Sequence, residues 1–214
     1  YWMSRYLERA ENTARLLDAT QTMALMPRSR RAQRELIAPL AITGMEELYK
    51  ELYDELTMEN LWQFFVLDAN NYNSVFNCIR IAATAMSQNE ADEFGERGAI
   101  VNTASVAAED GQIGQASYSA SKGGVVGMTL PIARDLSAVG VRVNTIAPGL
   151  IDTPIYGEGE HAEAFKAHLG QSVLFPKRLG SGEELAFAVM ECITNPYLNA
   201  EVIRLDGGIR MPPK

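Results

Sequence analysis

The stretch Ala99-Ile100-Val101-Asn102-Thr103-Ala104-Ser105 decides how this chain folds. Its first five residues are apolar or β-branched apart from one asparagine, follow Gly98 and lead to a serine, which reads as a short buried strand. Outward from it, Ser117 to about Leu136 has the length and pattern of a helix, and Val141-Arg142-Val143-Asn144-Thr145-Ile146 is a second strand, broken by Pro148-Gly149. Residues 150–158 read as a loop, and 159–169 and 181–194 as helices. Glu201-Val202-Ile203-Arg204-Leu205 is a last strand turned by Asp206-Gly207-Gly208. Short strands alternating with helices specify an α/β fold with a parallel sheet.

The first third of the chain has a different grammar. Of 17 glycines only Gly44 precedes residue 95. Met3, Leu7, Ala10, Ala14 and Leu17 recur at helical spacing, with Glu11 and Arg15 as an i,i+4 pair, until Pro27 ends the pattern. Met45, Leu48, Leu52 and Leu56, joined by Tyr49 and Tyr53, form a second stripe. A third helix is expected from about Asn73 to Met86, burying Val75, Ile79, Ala83 and Met86. This segment is expected to be all-α.

Composition bounds the function. The chain has 214 residues, 47% hydrophobic and 21% charged, enough to bury a core, and its net charge of -8 argues against nucleic acid or an anionic membrane as partner. No apolar run reaches the ~20 residues of a bilayer span. Cys78 and Cys192 are too few for a disulfide framework, so a cytoplasmic, reducing setting is expected. The first residue is Tyr1 rather than Met, which suggests a fragment. His161 and His168 lack neighbouring ligands, so no metal site is expected. The run Arg28, Arg30, Arg31 and Arg34 reads as a solvated face.

One constellation carries chemistry. Ser105 ends the first strand, Tyr118 follows on the next helix, and Lys122 lies four residues further, on the same helical face. A phenol keeps its proton to about pH 10, so acid/base work at neutral pH needs a nearby cation, which Lys122 would supply. A serine hydroxyl at the C-terminal edge of a parallel sheet is placed to hold a carbonyl oxygen. Tyr-x3-Lys alone recurs by chance, and its weight comes from what surrounds it.

The surrounding string, Ile100-Val101-Asn102-Thr103-Ala104-Ser105 with Tyr118-Ser119-Ala120-Ser121-Lys122-Gly123-Gly124, resembles the short-chain dehydrogenase/reductase family. The likeness continues through Arg142-Val143-Asn144, Ile146-Ala147-Pro148-Gly149, Asp152-Thr153-Pro154 and Arg178-Leu179-Gly180 to Val202-Ile203-Arg204-Leu205-Asp206-Gly207-Gly208, and is strongest toward the 3-hydroxyacyl-CoA dehydrogenase branch. The resemblance implies NAD-dependent interconversion of a secondary alcohol and a ketone, the substrate a small molecule of 3-hydroxyacyl-CoA type. Tyr118 would be the acid/base. Lys122 would lower its pKa and hold the nicotinamide ribose, and Ser105 would orient the substrate oxygen. Pro148, Gly149, Ile151 and Thr153 would line the nicotinamide side, Gln115 would border the substrate, and residues 150–170 would form a lid. Family members form homo-oligomers, commonly tetramers.

The family's Gly-rich phosphate turn has no counterpart in residues 1–94, where Ile42-Thr43-Gly44 is followed by Met45-Glu46-Glu47. The asparagine that completes a catalytic tetrad in many members is assigned neither to Asn70 nor to Asn71. Instead, Tyr1-Trp2-Met3-Ser4-Arg5-Tyr6-Leu7-Glu8-Arg9-Ala10-Glu11 and the residues to about 75 resemble the bacterial all-helical alpha-E domain. The expected organisation is a truncated helical segment at 1–75 joined, as a chimera, to the catalytic half of a dehydrogenase at 76–214. The fold class is thus α/β, the C-terminal half of a Rossmann-type parallel sheet with flanking helices, preceded by an all-α segment. With the cofactor turn missing, impaired NAD binding is expected. The competing class is a non-enzymatic helical interaction module with a vestigial dehydrogenase tail.

Overall fold

The computed structural model describes residues 32–68, 70–71 and 75–213. The expected helix over Met3–Leu17, the Tyr1–Glu11 string, the Arg28–Arg31 run and the expected helix start at Asn73 lie outside these residues. The chain divides into two compact units, Tyr1–Ala85 and Met86–Lys214. The seam read from sequence, at 75/76, lies ahead of this division.

In the first unit, helix α1 (Ala32–Thr43) runs through Pro39 and stops at Gly44, whose φ of 68° only glycine adopts without cost. Gly44 N–H donates to the Ala41 carbonyl and Met45 N–H to the Leu40 carbonyl, the paired bonds of a Schellman ending. Helix α2 (Glu46–Leu52) ends where Tyr53 turns extended. The stripe running on to Leu56 is therefore corrected: Leu56 packs from a non-helical connection, before α3 (Met58–Trp62) and the π-helical turn Gln63–Leu67. Thr57 caps α3 by accepting from Asn60 N–H. Leu40, Tyr49, Leu61, Phe64 and Phe65 form the core of this unit. Tyr49 stacks on Tyr53 at 5.0 Å, and Phe64 meets Phe65 edge-on at 5.0 Å. Helix α4 (Val75–Met86) buries Ile79, Ala83 and Met86, three of the four residues read from its spacing, and also Asn77 and Cys78; the Val75 side chain lies outside the described residues.

The second unit is a parallel three-stranded sheet flanked by helices. Strands β1 (Gly98–Thr103), β2 (Val141–Pro148) and β3 (Val202–Leu205) lie in that order, with Asn102 beside Thr145 and Ile146 beside Ile203. The long helix α5 (Ala116–Ser137) and the helix α7 (Gly182–Thr194) cover opposite faces. Thr145 meets Thr129 of α5 at 2.6 Å, hydroxyl to hydroxyl, while its neighbour Ile146 packs with Val101 and Cys192 on the α7 side. Cys192, Ala188 and Val189 share the face of α7 that packs on the sheet. Ile193, which the apolar pattern Ala188, Val189, Cys192 and Ile193 places with them, is instead 44% exposed. Ser181 and Glu184 close a capping box at the start of α7.

Buried polarity is satisfied with care in β2. The Arg142 guanidinium pairs with both Glu96 carboxylate oxygens at 2.8 and 2.9 Å and donates to the carbonyls of Cys192, Ile193 and Leu198. Asn144 donates to Leu198 O and accepts from Glu201 N–H, fixing the entry into β3. No helix among the described residues is long and apolar enough to cross a membrane.

Candidate active site

Because the three strands are parallel, their C-terminal ends share one edge of the sheet, where open α/β folds hold ligands. Ser105, Gly149 and Asp206-Gly207 follow strand ends there, and Pro148 is the last residue of β2.

Ser105 continues β1 in extended conformation and caps the 3-10 turn Val106–Ala108. Its Oγ accepts from Ala107 N–H at 3.1 Å. That bond uses a lone pair and leaves the hydroxyl proton free to be donated. Tyr118 stands half-buried in the first turn of α5. One turn further, Lys122 is 2% exposed, and its Nζ lies 5.8 Å from the centroid of the Tyr118 ring. Nζ also donates to the Thr103 carbonyl at 3.1 Å. The ammonium therefore bridges the helix that bears the phenol and the strand end that bears the serine, and places a cation against the π-face of the tyrosine.

The remaining sequence-chosen residues divide. Gly149 has a packing reason of its own. Its N–H donates to Leu205 O at 2.9 Å, and a β-carbon there would stand 2.8 Å from Asp206 Cβ, so only glycine lets β2 end against the turn after β3. Ile151 is tied to Gly180 by a parallel bridge, with Asp152 N–H donating to Gly180 O at 2.7 Å. Thr153 starts the 3-10 turn Pro154–Tyr156 and makes no side-chain cap bond to it. Gln115 precedes α5, and its side-chain oxygen accepts from Gln112 N–H at 3.1 Å, inside its own loop. In the 150–170 segment, helix α6 (Glu160–Gly170) presents Lys166 to Asp152 at 2.9 Å, and Phe165 lies against Tyr156. A cavity of about 250 Å³ opens beside Ile151 and Asp206, and neither Ser105, Tyr118 nor Lys122 lines it.

Sequence reasoning missed Arg204, which sits among three carboxylates, and Asn102, whose buried Nδ2 is without a partner, as is Ser119 Oγ. A lone arginine inside the run Val202-Ile203-Arg204-Leu205 was the available signal for the first. The Ser119 hydroxyl lies where a β-carbon on Gly111 would fall, so the 109–115 loop packs tightly on the first turn of α5.

A profile of the family described as short chain dehydrogenase matches residues 43–164, more than half of the chain. The chain belongs to the short-chain dehydrogenase family. The match begins at residue 43, ahead of the 75/76 seam expected from the sequence. Among the dehydrogenases it resembles, human 3-hydroxyacyl-CoA dehydrogenase type-2 is 58% identical over 148 residues, covering 69% of this chain and 56% of that protein. Ipsdienol dehydrogenase of Ips pini is 36% identical over 141 residues, covering 65% of this chain and 54% of that one. The crystal structure of 3-hydroxyacyl-CoA dehydrogenase type-2 from Mycobacterium avium superposes with a TM-score of 0.62 at 45% identity, over 71% of this chain and 55% of that one. This short-chain dehydrogenase chain therefore spans about half the length of the relatives it matches.

Proposed function

We propose that residues 76–214 carry the acid/base half of an NAD-dependent oxidoreductase acting on a secondary alcohol or ketone of 3-hydroxyacyl-CoA type. The observation that carries this is the buried Lys122 ammonium, 5.8 Å from the Tyr118 ring centroid and bonded to the strand end that leads to Ser105. Similarity to 3-hydroxyacyl-CoA dehydrogenase type-2 supports the substrate class. In this reading Ser105 Oγ donates its free proton to the carbonyl oxygen and fixes its position. Tyr118 OH gives a proton to that oxygen in reduction and takes it back in oxidation. The buried Lys122 ammonium holds its place against the Tyr118 ring throughout that exchange. A bound nicotinamide would supply or accept the hydride.

The residues present fit only one end of that cofactor. Lys122 suits a ribose, and Pro148, Gly149, Ile151 and Thr153 lie at the strand edge where the nicotinamide would rest. A pyrophosphate needs a glycine-rich turn opening onto a helix N-terminus. Gly44, the sole glycine before residue 95, closes a helix C-terminus instead. We therefore propose that the chain as given binds NAD poorly and turns over little substrate. We also propose that its residues 1–75 are an alpha-E-like helical segment of separate origin, that the protein works in the cytoplasm and that it assembles as a homo-oligomer.

Fluorescence titration with NADH tests the cofactor statement: binding without saturation up to about 1 mM supports it, and micromolar affinity overturns it. Uninterrupted DNA read across codons 65–85 from one clone tests the join. The second reading, a helical interaction module with a vestigial tail, draws on the separate aromatic core of residues 40–65. It expects Tyr118→Phe to leave the biological role untouched.

A further inference from the structure

Ser105 and Tyr118 stand at the two ends of one connection, and whatever fixes that connection fixes how the hydroxyl faces the phenol. We infer that Arg204 is a positioning residue: with the segment after β3 it clamps the 109–115 loop and so sets Ser105 against Tyr118. This rests on the proposed acid/base roles of those two residues.

Register explains why Arg204 can do so. It pairs with Ala147, two residues from Thr145, and so projects on the α5 side of the sheet, whereas Ile203 and Leu205 enter the core beneath α7. There its guanidinium meets Glu109 at 2.7 Å and Asp110 at 2.7 Å, both at the start of the loop, and Asp206 at 2.9 Å. A planar guanidinium with five donors can hold three carboxylates in fixed directions, which an ammonium cannot. The Arg204 bonds hold the Asp110 carboxyl below the usual range. Further along the same segment, the Pro213 carbonyl accepts from Ile113 N–H at 3.0 Å and the Pro212 carbonyl from the Gln112 side-chain amide at 3.1 Å. The loop is thus gripped by residues 204–213 at four places, Glu109, Asp110, Gln112 and Ile113. Gly111, lacking a side chain, lets it settle on Ser119, next to Tyr118.

The test compares the full chain with Arg204→Met and Arg204→Lys, by peptide-resolved amide hydrogen exchange and by tetranitromethane nitration of Tyr118 read on its own peptide. Removing the fork is expected to speed exchange at 109–115 about tenfold, leave residues 143–146 of β2 unchanged and raise the nitration rate of Tyr118, with Arg204→Lys falling between. Unchanged exchange at 109–115, acceleration shared equally with 143–146, or an unaltered Tyr118 would overturn the inference. Neither readout uses turnover or cofactor, so a ligand found bound away from Ser105 and Tyr118 would count against the proposed chemistry and leave the clamp standing.

Discussion

Lys122 Nζ donates to the Thr103 carbonyl at 3.1 Å, a bond that ties helix α5 to the C-terminal end of β1 inside the fold. Thr103 lies two residues before Ser105, and Lys122 one turn after Tyr118, so a single buried cation connects the bearers of both hydroxyls. Replacing it by Met leaves a carbonyl without this donor. Lys122→Met is expected to lower unfolding free energy by about 1–3 kcal/mol, measured by urea denaturation. A loss below about 0.5 kcal/mol would show that the bond does not tie the two elements.

Arg142 makes a harsher case. Arg142 is 7% exposed, and its guanidinium serves Glu96 and three carbonyls at once. Arg142→Met strands a partly buried carboxylate and is expected to cost about 3 kcal/mol or more in the same assay. Glu96→Gln, which keeps an acceptor in place, is expected to cost less.

Those two residues also show what the sequence made legible. The strands were readable because each is a short β-branched run with a breaker at one end, Gly98 opening β1, Gly149 after β2 and Asp206-Gly207 after β3, and the Ser105, Tyr118 and Lys122 pattern because it falls within one strand end, one loop and one helix. Contacts between distant parts of the chain were not. Two of the three carboxylates around Arg204 lie 94 and 95 residues away and the partners of Arg142 46 to 56, and no local pattern records them. One helix end was missed for a different reason: the apolar spacing from Leu52 to Leu56 persists after the backbone has turned extended at Tyr53.

Acid should act through Glu184. Its carboxyl is held from an ordinary 4.5 down to about 2, first by the Arg178 guanidinium and then by Ser181 N–H. A depressed folded-state value means stabilisation that is present above about pH 4.5 and lost as pH falls through about 2. The melting-temperature gap between the protein and Glu184→Gln is therefore expected to shrink from pH ~5.5 to pH ~2 by circular dichroism. A constant gap would contradict this.

Ala200 has a φ of 64° while its N–H donates to Val143 O at 2.8 Å. An L-residue pays for that conformation, and glycine does not. Ala200→Gly is expected to stabilise the protein by about 0.5–1 kcal/mol after glycine's larger unfolded-state entropy is counted. Destabilisation in a urea titration would mean that the alanine methyl packs usefully.

The acid/base site itself is tested most directly by a crystal structure of this chain soaked with a 3-ketoacyl-CoA. The keto oxygen is expected within about 3.2 Å of both Ser105 Oγ and Tyr118 OH, with Lys122 Nζ still on Thr103 O. Hydroxyl and phenol facing separate solvent regions, or a ligand held elsewhere, would contradict the assignment of these three residues as one site.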